Sequence, residues 1–280
     1  MKKPFLQGEA FLADLESAAR ETGKLHIWWL GQSGFLLQWQ GQRCLLDPYL
    51  SDALTRKYAQ TDRPHVRMTE RVIAPERLTG IQVVTSSHNH TDHLDPETLA
   101  PLIEGNPGMV LIAPAANLDF VRTRLGSRLP PLVGLDDNSR AQVGHFTFTG
   151  VPSAHDTLQT DEAGRHKFLG YVVECGPWVL YHSGDTRWHD GLEPRLRRFR
   201  IDVGFLPING WAPERGVAGN LSIAEAVSLG LAVNMGLVVP HHFDMFLFNT
   251  ADVGEFQSEA SRRGLRTRVL QNGERMTLPS

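Results

Sequence analysis

The chain has 280 residues, 41% of them hydrophobic, and a formal net charge of −3. That length can bury a substantial core, in one large domain or two tightly fused halves. The charge balance argues against a basic surface for nucleic acid, and only two cysteines, Cys44 and Cys175, are present, both in strand-like runs; buried free thiols are expected rather than a disulfide framework.

Met1-Lys2-Lys3 has the charge of a signal-peptide start, but Glu9, Asp14 and Glu16 interrupt the apolar run after it. Phe11, Leu12, Leu15, Ala18 and Ala19 fall on one helical stripe, which predicts an amphipathic helix packed on the body. No apolar window approaches the length that spans a bilayer, so a cytoplasmic protein without membrane insertion is expected. Next come Leu25–Leu30, Phe35–Trp39 and Gln42–Leu46, separated by Gly31-Gln32-Ser33-Gly34 and Gln40-Gly41. They read as consecutive antiparallel strands with tight turns. Arg56 to Arg71 holds few periodic apolar positions and reads as a long loop, and such loops in compact domains are often functional.

Ile81-Gln82-Val83-Val84 predicts a buried strand. After it, Asp95 and Pro96 are a plausible N-cap and first helical residue. Val110–Pro114 predicts a strand and Ala115–Leu125 a helix. In the second half, strands are expected at Phe146–Pro152, Gly170–Glu174, Trp178–His182, Val203–Pro207 and Leu237–Pro240, with a helix over Ser222–Leu231. A last hairpin is expected from Arg266–Leu270 and Arg275–Leu278 around Asn272-Gly273. Antiparallel strands followed by strand–helix alternation, twice, predict two mixed sheets packed together with helices outside. No linker is visible, so residues 1–280 are expected to form one domain.

The chemistry concentrates where strands end. His88-Asn89-His90-Thr91-Asp92-His93 follows the strand at Ile81. Imidazoles and a carboxylate crowded at a strand exit build a poor core and a good metal site, because a rigid strand end aims several ligands into one pocket. Three further strand ends offer ligands: His155, then Asp185, then His241 or His242. Each alone reads as an ordinary histidine or turn residue; His182 and His189 are expected to be of that kind.

This pattern resembles the metallo-β-lactamase superfamily, whose His-x-His-x-Asp-His motif stands here as His88 to His93. The resemblance covers nearly the full chain and implies an α/β protein, a four-layer αβ/βα sandwich of two mixed sheets flanked by helices, with the site at one edge. Carried over by position, it implies two divalent cations, one held by His88, His90 and His155 and the other by Asp92, His93 and His242, with Asp185 bridging. Asp92 and Asp185 are expected to be catalytic as well as ligands. His242 is preferred to His241 because the family often presents Pro-x-His at this strand end; His241 then lies behind the site or faces substrate. Imidazole and carboxylate donors suit Zn²⁺, Mn²⁺ or Fe²⁺. Two cations about 3.5–4 Å apart can share a water and stabilise an oxyanion, which implies a hydrolase.

Trp29–Phe35, Asp47–Asp52, Leu206–Gly210 and Pro240–Phe246 are similar to the bacterial branch that contains L-ascorbate-6-phosphate lactonase, which implies a small polar ester, lactone or phosphoester as substrate. The alternatives are a phospholipase-D-type phosphodiesterase of the same superfamily and a non-catalytic metal-binding protein. The partner expected is a small molecule; nothing fixes subunit number, and a homo-oligomer stays open. Asp47 reads either as a brace for the metal site or as a plain Asp-Pro turn. Asn209 and Asn249 could donate to a substrate oxygen or serve only in turns. The cations of the 56–71 loop could meet a phosphate or carboxylate or simply face solvent. Arg195, Arg197, Arg198 and Arg200 read as a surface helix face.

Overall fold

A computed structural model describes residues 1–279. In chain order it contains α1 (Glu9–Ala18), β1 (Leu25–Gly31), β2 (Gly34–Trp39), β3 (Gln42–Leu46), α2 (Ala53–Lys57), β4 (Ile81–Thr85), α3 (Pro96–Gly105), β5 (Val110–Pro114), α4 (Leu118–Leu125), β6 (Leu132–Leu135) and β7 (Arg140–Val143). The second half adds β8 (Phe146–Pro152), β9 (Leu169–Cys175), β10 (Trp178–His182), α5 (Leu192–Leu196), β11 (Val203–Pro207), α6 (Ile223–Val233), β12 (Leu237–His241), α7 (Val253–Arg263) and β13 (Arg275–Leu278). The strands form two mixed sheets, one of seven strands ordered β13-β1-β2-β3-β4-β5-β6 and one of six ordered β12-β11-β10-β9-β8-β7.

Alternation along the strands of the first sheet sorts its side chains between two cores. Ile27, Trp29, Phe35, Leu37, Cys44 and Leu46 face inward and pack against the second sheet. Their neighbours Trp28, Leu30, Leu36 and Leu45 face outward, against Phe11 and Leu15 of α1, Leu99 and Leu102 of α3, and Val121 and Leu125 of α4. On the far side, Leu192, Val227 and Phe256 join α5, α6 and α7 to the second sheet. Both sheets are thus covered by helices, the sandwich architecture expected. Phe35 and Phe205 meet across the interface with ring centroids 4.3 Å apart. Both cysteines are free and buried in the inter-sheet core. Among the described residues no helix is long and apolar enough to cross a membrane.

Strand direction decides where the chemistry gathers. β8 and β10 each run antiparallel to β9, and β10, β11 and β12 run parallel to one another. So β8, β10, β11 and β12 point the same way, and their exits, which lead to His155, Asp185, Asn209 and His242, lie along one edge. The exit of β4 meets that edge from the other sheet, where Leu169 N donates to Ser87 O at 3.0 Å.

Three expectations need correction. The final hairpin does not form: β13 pairs with β1, and the 266–270 segment contributes only a bridge from Thr267 to Val238. The turn at Asn272-Gly273 instead locks onto β1 through Gly273 N to Trp29 O at 2.7 Å. The 56–71 segment is not all loop, since Arg56 and Lys57 end α2. Besides α2, three elements were not foreseen, the short strands β6 and β7 and the polar helix α7, which buries only Phe256 and Ala260.

Candidate metal centre

The His88–His93 loop is fixed from both sides. Asp95 caps α3 by accepting from Glu97 N at 3.2 Å and Thr98 N at 3.1 Å, with Pro96 in the first turn. From α4, the Arg124 guanidinium donates to Asn89 O at 2.5 Å and to Thr91 Oγ1 at 2.9 Å. Arg124 therefore holds the loop rather than offering a free charge.

The carbonyls, hydroxyls and carboxylates behind the histidines orient their rings. His88 Nδ1 lies 3.0 Å from Ser87 Oγ, His93 Nδ1 lies 2.7 Å from Asp47 Oδ2, and His155 Nδ1 lies 2.8 Å from Gly219 O. With Nδ1 occupied, each ring presents Nε2 inward, as metal-binding imidazoles do. The donor atoms gather as His88, His90 and His155 in one set and Asp92, His93, Asp185 and His242 in another, all within 4.8 Å of one another in each set. Asp185 Oδ2 ties the two together, at 3.3 Å from His93 Nε2, 3.3 Å from His242 Nε2 and 3.5 Å from His155 Nε2.

Three buried atoms of this cage, His88 Nε2, His93 Nε2 and Asp185 Oδ1, have no hydrogen-bond partner. Orphaned buried donors and acceptors cost free energy, so their convergence needs a reason. A divalent cation in each set supplies one, and an all-nitrogen-and-oxygen donor group suits Zn²⁺, Mn²⁺ or Fe²⁺. Electrostatics agree. Burial pushes Asp185 up, but His242, His93 and His155 outweigh it and hold the carboxyl well below the usual range. Burial also disfavours charge on His93, yet Asp185 and Asp92 raise it well above the usual imidazole value. His88 is held well below it by burial and by His93 and His90. The cage favours ionised carboxylates and demands compensating positive charge.

Between the two candidate last histidines, the geometry separates the roles. His242 adopts φ +63, a left-handed turn that swings its ring toward Asp185. His241, fully buried, stacks on His182 with centroids 5.3 Å apart, and its Nδ1 lies 3.3 Å from Ser33 Oγ. It does not line the cavity in front of the donor sets, so the expectation that it could face substrate is corrected. Asn209 is corrected likewise. It is buried, accepts from Asn220 Nδ2 at 3.1 Å and donates to Asn249 Oδ1 at 2.9 Å. Asn249 does reach the cavity wall. His182 is structural: its Nε2 lies 2.8 Å from Ser33 O, and Gly184 N donates to its Nδ1 at 3.3 Å.

Asp47 braces the site. Besides holding His93, it accepts from Thr85 Oγ1 at 2.8 Å and from Ser87 N at 3.1 Å. Burial raises its carboxyl, but the His93 hydrogen bond and nearby imidazoles outweigh that and keep it ionised. Asp47→Ala is expected to weaken divalent-metal binding by about 10–100-fold, because His93 loses the partner that fixes its ring. Competition with a chelator reads this directly; unchanged affinity would reduce Asp47 to a turn residue.

The cavity has a volume of about 510 Å³, within the ordinary range for small ligands. Its floor is His90, Asp92, His155, Asp185 and His242, and the facing wall includes Leu54, Tyr58, His65, Phe246 and Phe248. Of the basic loop, only Lys57 and His65 line it. Arg67 is buried against Asp52, and Arg56 pairs with Glu97. The Arg195 run is surface-lying in part, with Arg195 paired to Asp137 at 2.7 Å. The aromatic wall, Gln32 and Arg124 escaped the sequence reading. For Gln32 a signal existed in the Gly31–Gly34 turn; the wall is assembled from two separate loops that carry no periodicity.

Comparison with known proteins matches this geometry. The family described as "Beta-lactamase superfamily domain" matches residues 42–243, most of the chain. A "UPF0173 metal-dependent hydrolase" of Carboxydothermus hydrogenoformans is 26% identical over 258 residues, 91% of this chain and 100% of that one. An "N-acyl-phosphatidylethanolamine-hydrolyzing phospholipase D, mitochondrial" of Saccharomyces cerevisiae is 29% identical over 197 residues, 66% of this chain and 40% of that one. Among solved structures, an isothiocyanate hydrolase from Delia radicum gut bacteria superposes with a TM-score of 0.71 at 17% identity, covering 91% of this chain and 99% of that one, a likeness of fold. Fold, strand-exit donor sets and family match together place the chain in the metallo-β-lactamase superfamily.

Proposed function

We propose that the protein is a metal-dependent hydrolase that holds two divalent cations and cleaves a small ester or lactone with an apolar substituent. The observation that carries this reading is the pair of donor sets, joined through Asp185, on the floor of a cavity one wall of which is aromatic. Bound there, the cations would lower the pKa of a coordinated water toward about 7 and stabilise a developing oxyanion. The chain's own residues do the rest. Asp185 keeps the two donor sets in register. Tyr58, His65, Phe246 and Phe248 exclude water and pack an apolar or aromatic group against the floor. Asn249 has its Oδ1 engaged by Asn209 and by Arg215 at 3.2 Å, which leaves its amide N–H to donate to a substrate oxygen.

This wall argues against a phosphorylated sugar lactone. Recognition of a phosphate calls for free guanidinium or ammonium groups. Arg56 and Arg67 are paired elsewhere and Arg124 is engaged by its loop, so Lys57 alone remains at the cavity. A second reading, a lipid phosphodiester, draws support from the phospholipase D relative and from exposed apolar side chains beside the wall, Leu247, Val66 and Phe120.

The test is turnover of aryl and alkyl esters, lactones, phosphodiesters and phosphomonoesters by protein loaded with Mn²⁺ or Zn²⁺. Ester or lactone hydrolysis that a chelator abolishes and metal restores is expected. Hydrolysis confined to phosphodiesters would move the assignment to the second reading, and turnover indifferent to the chelator would refute both.

A further inference from the structure

Gln32 sits in the turn between β1 and β2, in the left-handed region at φ +50. The turn has little freedom. Gly31 before it has φ +99, and a Cβ there would lie 2.8 Å from Met245 Cε and 2.9 Å from Asn272 Nδ2. The Gln32 carbonyl is held by His242 N at 3.1 Å and by Trp29 Nε1 at 3.1 Å. A non-glycine residue kept in this conformation stores strain, which persists where surrounding contacts over-determine it and often marks a functional site.

The side chain this turn aims inward is 1% exposed and lines the cavity. Its Nε2 lies 2.9 Å from Asp92 Oδ2 and 3.0 Å from His242 Nε2, two donors of the second set. Its Oε1 is buried and has no partner at all. Oxygen and nitrogen donors stand about 2.0–2.2 Å from a transition-metal cation, so donors sharing one sphere sit roughly 3 Å apart. The end of the Gln32 carboxamide already stands at that separation from Asp92 and His242.

We propose that Gln32 is an additional ligand of the second cation through Oε1, and that it biases this site toward a cation preferring more than four donors, such as Mn²⁺, over Zn²⁺. The inference rests on the two-cation reading. The amide N–H can donate to His242 only while its single Nε2 lone pair is free. When that lone pair goes to a cation, the N–H loses this acceptor, and a half-turn about the terminal torsion brings the amide oxygen into its place. That half-turn also relieves the orphaned Oε1. Asp92, His93, Asp185 and His242 already offer four donors. A neutral, hard oxygen in addition exceeds what tetrahedral Zn²⁺ takes and suits Mn²⁺.

The experiment titrates metal-free protein with Mn²⁺, following free Mn²⁺ by electron paramagnetic resonance, for wild type, Gln32→Ala and Gln32→Glu. Visible spectra of the Co²⁺-loaded proteins are recorded alongside. Gln32→Ala is expected to weaken the second equivalent about 10–100-fold while leaving the first unchanged, and to intensify the Co²⁺ bands toward the tetrahedral pattern. Gln32→Glu, which keeps an oxygen but loses the N–H, is expected to bind the second equivalent at least as well as wild type. If Gln32→Glu is as impaired as Gln32→Ala, Gln32 serves only as an N–H donor and the proposal fails. A tetrahedral wild-type Co²⁺ spectrum also overturns it. A wild-type protein that takes up one equivalent only would instead bring down the two-cation reading beneath it.

Discussion

Asp185→Ala protein is expected to bind one equivalent of divalent metal where wild type binds two, and to lose hydrolysis by a factor of at least about 10²–10³. The factor is a lower bound. Removing a single oxyanion-stabilising donor from an enzyme typically costs that much, and among the described residues Asp185 is the one side chain with a carboxylate oxygen within 3.5 Å of Nε2 atoms from both donor sets, His155 on one side and His93 and His242 on the other. Without it, the Nε2 atoms of His93 and His242 keep the Asp92 carboxylate as a neighbour, at 3.6 Å and 3.8 Å. The first set, His88, His90 and His155, keeps all three of its donors. Elemental analysis and turnover on the same preparation check the outcome. Two equivalents with unchanged turnover would remove Asp185 from the centre of the site. Asp185→Asn separates charge from shape, since the amide fills the space but cannot supply the negative charge shared by three imidazoles.

The residues of the two donor sets were legible in the sequence for a physical reason. A ligand must be held rigidly, the ends of buried strands are rigid, and buried strands announce themselves as apolar runs. His88 to His93, His155, Asp185 and His242 each stand within a few residues of such a run. Asp47 was ambiguous because an Asp-Pro strand end and a carboxylate brace look identical until His93 is seen 2.7 Å away. Choosing between His241 and His242 from sequence needed a resemblance, since what separates them is the sign of one φ angle. The cavity wall was not legible. Tyr58 and His65 come from the segment after α2, and Phe246 and Phe248 from the segment after β12, so the packing of His65 on Phe248, with ring centroids 4.4 Å apart, is purely tertiary. The missed hairpin has the same cause. Asn272-Gly273 signals a turn correctly, but the partner of β13 is β1, some 250 residues away in sequence, and no local pattern reports such a pairing. α7 was missed because it buries too few apolar side chains to show a stripe.

Gly184→Ala is expected to damage the site without touching a ligand. Gly184 lies between the end of β10 and Asp185, with φ +57. An alanine Cβ there would stand 2.5 Å from Ser87 Cβ and 3.0 Å from Leu169 O. Two costs add. An L-residue in the left-handed region costs about 1–2 kcal/mol, and forcing extra volume into a packed interior costs about 1–3 kcal/mol more. The second cost has consequences for chemistry. Ser87 donates its N–H to Asp47, and its Oγ lies 3.0 Å from His88 Nδ1 and 3.2 Å from His93 Nδ1. Pushing Ser87 away therefore disturbs ligands in both sets from behind, while the backbone carrying Asp185 shifts on the opposite side. Gly164→Ala isolates the first cost, because Gly164 has φ +78 with nothing within 4 Å of its Cβ position. Denaturant unfolding of the metal-free proteins should place Gly184→Ala below Gly164→Ala in stability, and metal titration should show weakened binding in Gly184→Ala alone. Equal stability and equal metal affinity in the two variants would mean that the strand exits of the two sheets tolerate a wider separation, and that the absence of a side chain at residue 184 is not what lets the donor sets meet.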